Sequence, residues 1–358
     1  MKWLLAVPAG LVLLTALTVL AGRAVNGLRC RIRGNSGVQR TCYLPLGGAE
    51  QYVQIRGEDR PNPILLVLHG GPGNPMACWS FRWQRALERS YTVVHWDQRG
   101  CGNTYYRSRE GARPTLDLLL SDLDDLIGRL CREYGRQKVI LLGHSWGTFL
   151  GALYAGQHPE KVSAYLAVGQ MIDLKRSTQV SAQEAMRLAE AAGRGGDVRA
   201  MEEKLRSVLG ARRLDRPEFA AFVRLRELQE GYLPSPGGAG MVLLYLFSPS
   251  MTWNNLRWML SPGKLLRSNS ELYQTLLSET GSSLYDYGLR FRVPVVIFAG
   301  ERDWTTPASL ARQYFQDISA PYKEFIVLDG AGHIPFLEQP GTFVKTLQGA
   351  LERIKNEV

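Results

Sequence analysis

The chain has few of the residues that build metal centres and disulfide frameworks. Among its 358 residues are only five cysteines and five histidines. The cysteines show no spacing typical of a metal site, and their odd number leaves at least one thiol unpaired. Outside the cytoplasm Cys30 and Cys42 could form a disulfide, whereas five unpaired, mostly buried cysteines are an equally good interpretation. Nothing in the sequence indicates a metal or a cofactor, and we predict none.

Long runs of like charge and low-complexity segments are also missing. Lys and Arg outnumber Asp and Glu by 43 to 33, which gives a formal net charge of +10. The basic residues are scattered and do not alternate with aromatic residues, so they indicate a basic surface and no nucleic-acid partner. The hydrophobic fraction of 45% is enough for a full core. The length favours one domain with an inserted subdomain.

The N-terminal segment differs from the rest, because no charged side chain occurs from Trp3 to Gly22. Roughly 20 apolar residues are enough to span a bilayer as a helix. We therefore predict that residues 1–24 form an N-terminal transmembrane anchor, with the membrane as a partner. The alternative is a signal peptide, cleaved near Val19 and Ala21 to release a secreted protein. The membrane side stays open, because the arginines after the segment favour the cytoplasm and the segment itself favours export.

Further along the chain, short apolar runs alternate with helical patterns. Such runs are typical of strands buried on both faces of a parallel sheet. Between them, leucines from Leu116 to Leu130 recur at helical spacing. The alternation predicts a mostly parallel, doubly wound α/β sheet, preceded by an antiparallel hairpin. The apolar runs lie at residues 63–69, 91–96, 138–143, 163–168, 293–299 and 324–328.

The alternation is interrupted near Asp173. From there to about Leu289 the sequence has helical patterns separated by Gly and Pro breaks. We therefore predict a helical cap at residues 173–290. It is inserted between the two parts of an α/β core, residues 36–172 and 291–358.

The strongest chemical signal is the motif GHSWG at residues 143–147. It follows an apolar run and precedes a helical pattern. A G-x-S-x-G motif in this context is typical of the nucleophile elbow of the α/β-hydrolase fold. The turn raises the serine hydroxyl above the sheet, and only small residues fit beside it. We predict this fold, with Ser145 as the nucleophile.

A serine hydroxyl needs a base, and the base needs an orienting acid. In this fold the acid and then the histidine follow the serine along the chain. His333 and Asp303 each follow one of the last two predicted strands. Since the carboxyl ends of adjacent parallel strands share one edge, we predict His333 as general base and Asp303 as acid. Glu301 and Asp329 are the alternative acids.

The oxyanion that forms during acyl transfer also needs donors. Residues 69–73 form a glycine-rich stretch directly after a buried strand. Its glycines let backbone N–H groups approach a reacting carbonyl, so we predict donors at Gly71 and at Trp146. The alternative is a plain turn. His69 is expected to hold this loop and not to transfer protons.

Several motifs of the chain closely resemble those of proline iminopeptidases, α/β-hydrolases that remove an N-terminal residue, typically proline, from short peptides. The resemblance extends over residues 38–172 and 290–350. It implies the roles given above for the predicted catalytic and oxyanion residues, and structural roles for Asp97 and Arg99. The motifs are HGGPG (69–73), DQRGCG (97–102), GHSWG (143–147), VPVVIFAGERDWTTP (293–307) and GAGHIPFLEQP (330–340).

Some positions depart from the family pattern. His144 stands where glycine is common, and Cys101 stands where serine is common. The resemblance also implies that acidic residues, largely from the cap, hold the free amino group of the substrate. The sequence offers four candidates without selecting among them, so the amine-binding residues stay unassigned. They are Glu227, Glu230, Glu271 and Glu279.

We therefore expect a serine hydrolase that cleaves N-terminal residues, proline among them, from small peptides through an acyl-enzyme. An esterase or amidase of other small substrates is an alternative, because fold and triad do not fix the substrate. A dehalogenase or epoxide hydrolase is disfavoured, since these need Asp in place of Ser145. The alternative from another class is a catalytically silent, membrane-tethered interaction protein. The presence of every expected chemical group argues against it.

Overall fold

The structure is a computed structural model that describes residues 2–108, 113–211, 216–234 and 239–357. Within these ranges eight strands form one sheet in the order β1-β2-β4-β3-β5-β6-β7-β8. The strands are Val38–Leu46 (β1), Ala49–Gly57 (β2), Ile64–Leu68 (β3), Thr92–Trp96 (β4), Val139–His144 (β5), Val162–Val168 (β6), Val295–Gly300 (β7) and Lys323–Leu328 (β8).

The direction of the strands follows the predicted pattern. β1 and β2 form an antiparallel hairpin, and β2 pairs antiparallel with β4. From β4 to β8 every neighbouring pair is parallel. The prediction of a mostly parallel α/β sheet is confirmed.

Helices cover both faces of this sheet. They are Lys2–Arg29 (α1), Gly102–Arg107 (α2), Leu116–Tyr134 (α3), Trp146–Gln157 (α4), Leu174–Ala191 (α5), Gly195–Gly210 (α6), Arg216–Gln229 (α7), Ala239–Phe247 (α8), Trp253–Met259 (α9), Pro262–Ser268 (α10), Ser270–Leu277 (α11), Ala308–Asp317 (α12), Pro335–Glu338 (α13) and Pro340–Glu357 (α14). Short 3₁₀ helices occupy Ala77–Arg82, Gln84–Arg89 and Leu284–Tyr287.

The central strands β3 to β7 are buried because each faces two separate cores, whereas the edge strand β8 is mostly half-buried. In β3 every residue is buried, and alternate side chains enter different clusters. Leu66 packs in the cluster that includes α3 and α4, whereas Val67 packs in the one that includes α14. Side chains alternate between the faces of a strand, so a strand covered on both sides must be apolar throughout. This explains the continuous apolar runs of the sequence.

The ends of α3 show how local sequence sets the helices that flank the sheet. Thr115 is the N-cap, and its side-chain oxygen accepts a hydrogen bond from the N–H of Leu118 at 3.2 Å. Gly135 ends the helix with φ = 61°, a left-handed conformation that glycine adopts without strain. The leucine stripe predicted from the sequence forms the buried face of this helix.

Helices α5 to α11 lie between β6 and β7 in the chain, and we call this part, residues 174–277, the cap segment. Its helices α5, α6 and α7 enclose a small apolar cluster of their own, which includes Ala185, Met201 and Leu225. The helical pattern expected after Asp173 is therefore present. The division of the chain into core and cap domains stays a prediction.

The first helix, α1, contacts the cap segment. The guanidinium Nε of Arg23 donates to the carbonyl of Leu246 at 2.7 Å, and the Asn26 amide donates to the carbonyl of Phe247 at 3.0 Å. Both acceptors lie at the end of α8. The predicted transmembrane anchor is not supported. Among the residues that the structure describes, no helix combines the length and apolarity needed to cross a membrane.

All five cysteines are free, so the disulfide between Cys30 and Cys42 that the sequence left open is not formed. Cys101 is fully buried next to the loop of residues 69–73. Burial raises the pKa of its thiol well above the ordinary value, so this thiol stays neutral.

A buried ion pair ties the loop after β4 to α3. The guanidinium of Arg99 donates to both carboxylate oxygens of Asp122 at 2.8 Å, and their side chains are only 5% and 0% exposed. Arg99 also donates to the carbonyl of Gly47 in the β1–β2 turn at 2.8 Å. One side chain therefore links three segments of the core. Its position agrees with the structural role that the resemblance implied.

Replacing Arg99 with Ala should destabilise the protein strongly, because it leaves the Asp122 carboxylate buried without its partner. Breaking a buried pair in this way costs about 3–5 kcal/mol. The free energy of unfolding in urea measures the loss. Arg224→Ala is the matched control, since Arg224 pairs with Glu227 on the surface, where the side chains are 58% and 55% exposed. An exposed pair contributes about 0–1 kcal/mol. Equal losses in the two variants would contradict the role of Arg99 as a buried link.

Candidate active site

Ser145 occupies a strained turn between β5 and α4. Its φ is 52° and its ψ is −121°, and it is the only non-glycine residue with positive φ among those the structure describes. Such a conformation costs about 1–3 kcal/mol, so the surroundings must hold it. One support is the Ser145 N–H, which donates to the carbonyl of Val168 in β6 at 3.0 Å.

Two glycines make this turn sterically feasible. A Cβ on Gly143 would lie 2.6 Å from the carbonyl oxygen of Gly147, and one on Gly147 would lie 2.1 Å from the carbonyl oxygen of Leu68. Real Cβ atoms do not approach so closely. Any larger residue at either position would therefore push α4 away from β3 and β5. The local geometry is that of a nucleophile elbow.

His333 and Asp303 meet at the same edge of the sheet. Asp303 follows β7, and His333 follows β8. The Nδ1–H of His333 donates to Oδ2 of Asp303 at 2.9 Å, and both side chains are at least nine-tenths buried. Of the alternative acids, Glu301 accepts from the N–H of Gly330 at 2.8 Å, and no hydrogen bond joins the Asp329 side chain to His333 in the described residues.

Asp303 is held as a charged carboxylate. Its Oδ1 accepts from the N–H groups of Thr305 and Thr306 at 2.8 and 2.9 Å, and its Oδ2 also accepts from the Thr306 hydroxyl at 2.7 Å. Burial alone would raise the pKa of Asp303, but the attraction of His333 and these hydrogen bonds lower it below the ordinary value. A charged acid at this position orients the His333 ring and can stabilise its protonated form.

Gly169, just after β6, is a residue that the sequence reasoning missed. Its φ is 61°, and a Cβ there would lie 2.9 Å from the Thr306 hydroxyl and 3.1 Å from Oδ2 of Asp303. A side chain would therefore push the acid off His333. The only signal in the sequence was a glycine at the end of a strand, and nothing linked it to the site.

A cavity of about 420 Å³ lies over Ser145 and His333. The core forms its floor. The cap segment, including the residues directly after α7, forms the opposite wall. The core contributes Gly70, Gly71, His144, Ser145, Thr305 and His333. The cap segment contributes Arg226, Gln229, Glu230, Leu233, Met241 and Tyr245. The structure therefore places the predicted nucleophile, the predicted base and one predicted oxyanion donor at one cavity.

Of the predicted oxyanion donors, Gly71 lines the same cavity as Ser145, and Trp146 directly follows Ser145 in the chain. Gly71 has φ = 118°, and a Cβ there would lie 2.4 Å from the N atom of Gly73, so the loop needs glycine at this position. Trp146 is the first residue of α4, and the first N–H groups of a helix have no partner within it. The Trp146 N–H can therefore serve a ligand, and the start of α4 favours negative charge. The donor role of the Gly71 N–H stays a prediction.

His69 links the glycine-rich loop to the loop after β4. Its Nε2 accepts from the N–H of Gln98 at 3.1 Å, and its Nδ1–H donates to the carbonyl of Gly70 at 2.8 Å. Gln98 in turn accepts from the indole N–H of Trp146 at 2.9 Å. Burial lowers the pKa of His69 to about 4, so the ring is neutral near pH 7. These contacts position the loop and the start of α4.

His144, the departure from the family pattern, contacts the backbone of His333. Its Nε2–H donates to the carbonyl of His333 at 2.9 Å, and the two rings lie 4.9 Å apart. Burial lowers the pKa of His144 to about 3. The neutral ring therefore braces the loop that presents His333.

Among the four acidic candidates, the structure brings only Glu230 to the described cavity wall. All four are exposed residues, and Glu227 forms a surface pair with Arg224, so the cavity lining alone sets Glu230 apart. Within the described ranges, no cluster of His, Cys, Asp or Glu side chains is arranged to hold a metal ion.

Comparison with known proteins identifies the family. Residues 63–340 match the family model of the alpha/beta hydrolase fold. The chain belongs to the α/β-hydrolase family. The probable aminopeptidase YbaC of Bacillus subtilis is 26% identical over 316 residues, which cover 85% of this chain and 93% of that protein. The proline iminopeptidase of Heyndrickxia coagulans is 26% identical over 336 residues, covering 87% and 98%.

A solved structure shows the same fold. The proline iminopeptidase-related protein from Thermus thermophilus superposes with a TM-score of 0.56 at 23% identity, covering 90% of this chain and 100% of that one. The resemblance inferred from the motifs is therefore confirmed. The catalytic roles of individual side chains of this hydrolase stay predictions.

Buried neutral histidines should make stability fall in acid. His69, His95 and His144 have folded pKa values of about 4, 3 and 3, because burial disfavours their charged forms. In the unfolded chain they titrate near about 6.5, so unfolding takes up protons as pH falls below that value. Asp97 has the opposite effect, because burial raises its pKa in the folded protein to about 6. It releases roughly one proton on unfolding near pH 5. Near pH 5 the net uptake on unfolding is about two protons.

The test is the free energy of unfolding in urea between pH 7.5 and 5. It should fall by about 1.4 kcal/mol per pH unit for each proton taken up. His95→Gln should reduce the slope by about one proton, whereas His158→Gln should not change it, because the His158 side chain is 36% exposed. Identical slopes in the two variants would contradict the assignment of buried neutral histidines.

Proposed function

We propose that this hydrolase removes N-terminal residues from small peptides, with Ser145 as nucleophile, His333 as general base and Asp303 as orienting acid. The hydrogen bond from His333 Nδ1 to Asp303, beside a cavity that Ser145 also lines, is the main support. The names of the two relatives, an aminopeptidase and a proline iminopeptidase, support the peptidase reaction. The cavity volume of about 420 Å³ supports a small substrate.

The proposed reaction begins with proton transfer. With Nδ1–H held by Asp303, the Nε2 lone pair of His333 is available for the Ser145 hydroxyl proton. Ser145 then attacks the scissile carbonyl, and a tetrahedral oxyanion forms. His333 gives the proton to the leaving amine, which departs and leaves an acyl-enzyme. Water, activated by the same histidine, releases the acid.

The oxyanion is assigned to the N–H groups of Gly71 and Trp146. Both are backbone donors, one in a tight glycine loop that lines the cavity and one at the start of a helix. Removing one such donor from an oxyanion hole typically lowers kcat by about 10²–10³. A substitution other than proline leaves the backbone N–H in place. The loss of kcat would therefore be seen on replacing the glycines that shape these two turns.

Recognition of the free amino group is assigned to Glu230. Glu230 is an exposed residue directly after α7, and it lines the cavity that contains Ser145. A carboxylate there can accept hydrogen bonds from a protonated amine, and such charge-assisted bonds are among the strongest in proteins. The exposed Glu227 lies three residues earlier and does not line the cavity, which makes it a natural control.

The test is the hydrolysis of aminoacyl arylamides, with proline among them, by the wild type, Ser145→Ala, Glu230→Gln and Glu227→Gln. N-blocked arylamides and simple 4-nitrophenyl esters are the comparison substrates. Ser145→Ala should lose about 10⁴-fold or more in kcat while keeping its circular dichroism spectrum. Glu230→Gln should reduce the preference for free-amine over N-blocked substrates by about 10-fold or more. Glu227→Gln should retain it.

Each alternative predicts a different pattern. Ester turnover without arylamide cleavage would keep the serine mechanism and replace the peptidase by an esterase. Full activity of Ser145→Ala would refute the mechanism. No turnover of any substrate by the wild type would favour the catalytically silent interaction protein.

A further inference from the structure

The cap wall of the catalytic cavity presents two hydrogen-bond donors from one helix. Arg226 and Gln229 lie three residues apart near the end of α7, and both line the cavity that contains Ser145. Residues at this spacing lie on the same face of a helix. The side of α7 that faces this cavity therefore carries two hydrogen-bond donors.

Gln229 has a buried donor that is not used by the protein. The side chain is 3% exposed, and its Nε2 has no hydrogen-bond partner among the residues that the structure describes. Leaving such a group unsatisfied typically destabilises the folded state, and nearly all buried polar groups have partners. Gln229 lines the cavity, so an acceptor on a ligand that reaches this buried amide would supply the missing partner.

Arg226 has no bonded anion among the residues that the structure describes. In the described part of the chain its guanidinium takes part in no ion pair and no hydrogen bond, and its closest aromatic contact is Phe222, whose ring centre is 5.5 Å away. It interacts electrostatically at longer range with Asp303, Tyr273 and Glu230. Burial lowers its pKa, yet an arginine stays charged at neutral pH. The guanidinium is therefore a charged group at the cavity wall, with Asp303 and Glu230 as nearby carboxylates and no hydrogen bond to either.

Asp303 interacts with Arg226 through its charge and not through a hydrogen bond. Both of its oxygens are occupied by His333, Thr305 and Thr306. A carboxylate on the substrate fits a guanidinium and a neighbouring amide better than any neutral group, because guanidinium groups bind carboxylates through paired N–H donors.

We propose that Arg226 and Gln229 form an anion subsite that selects substrates with a carboxylate close to the scissile bond. The carboxylate can come from the acyl side, as in an acidic N-terminal residue, or from the leaving side, as in the C-terminus of a dipeptide. Either source would place the amine at Glu230 and the carboxylate at Arg226. The subsite rests on the proposed function only in that Ser145 is the nucleophile.

Matched substrate pairs separate the two sources. For the acyl side, Glu arylamide is compared with Gln arylamide, and the monoaryl ester of adipate with that of adipamate. For the leaving side, Ala-Ala is compared with Ala-Ala amide, and 3-acetoxybenzoate with 3-acetoxybenzamide. Hydrolysis of the ester pairs requires only serine hydrolase activity. These pairs therefore test the subsite even if the enzyme does not cleave peptides.

The wild type should prefer the anionic member of either the acyl-side pairs or the leaving-side pairs. The expected preference is about 10- to 100-fold in kcat/KM, since a charge-assisted bond discriminates by this amount. Arg226→Met should reduce that ratio to about one, Gln229→Leu should reduce it partly, and Arg226→Lys should restore some of it. Arg224→Met is the control, because Arg224 lies on the exposed side of α7 and should keep the wild-type ratio.

Three results would overturn the proposal. One is the absence of any anionic preference in the wild type. Another is a loss in Arg226→Met that is equal for anionic and neutral substrates, which would indicate a structural role only. The third concerns calorimetric titration with glutarate, which needs no turnover: equal affinity of the wild type and Arg226→Met would exclude the subsite. Anionic preference among esters without peptide cleavage would keep the subsite and reject the peptidase.

Discussion

The turn at Ser145 is the constraint on which the rest of the site depends. A residue with a side chain stands at φ = 52° because the backbone of β3, β5 and α4 closes around it. Gly143 and Gly147 allow that closure, and the N–H of Ser145 bonds to β6. The turn places the hydroxyl at the carboxyl edge of the sheet and at the start of a helix. Every other proposed catalytic group is arranged with respect to this point.

The parallel sheet brings the remaining groups to the same edge. Asp303 and His333 follow the adjacent strands β7 and β8, so a separation of thirty residues in sequence becomes a hydrogen bond of 2.9 Å. Two glycines and a histidine shape the space around them: Gly169 leaves room for the acid, Gly71 bends the facing loop, and His144 supports the backbone of His333. The core supplies reactivity, and the cap segment supplies the wall that faces it.

The sequence predicted the core well because its signals are local. Continuous apolar runs specify strands covered on both faces, and the motif at residues 143–147 specifies a turn that few other contexts tolerate. The positions of Asp303 and His333 followed from strand order. The role of Gly169 did not, because it depends on a contact between segments more than a hundred residues apart.

The wall of the cavity could not be predicted either. In the cap segment many residues are charged and the helices are amphipathic, so a glutamate at the cavity and one on the surface give the same pattern. Only the packing of α7 distinguishes Glu230, Arg226 and Gln229 from Glu227 and Arg224. For the N-terminal segment, hydropathy suggested a membrane span. No helix among the described residues supports that prediction. The end of α1 bonds to α8 through Arg23 and Asn26.

The most direct test of the central claim is covalent labelling of the nucleophile. The protein is treated with a fluorophosphonate, which phosphonylates activated serines, and the modified residue is located by mass spectrometry of peptides. If Ser145 is activated by His333, one equivalent should attach to Ser145, and labelling should be abolished in Ser145→Ala and strongly slowed in His333→Ala. Attachment at another serine, or labelling of Ser145 at the same rate without His333, would contradict the account.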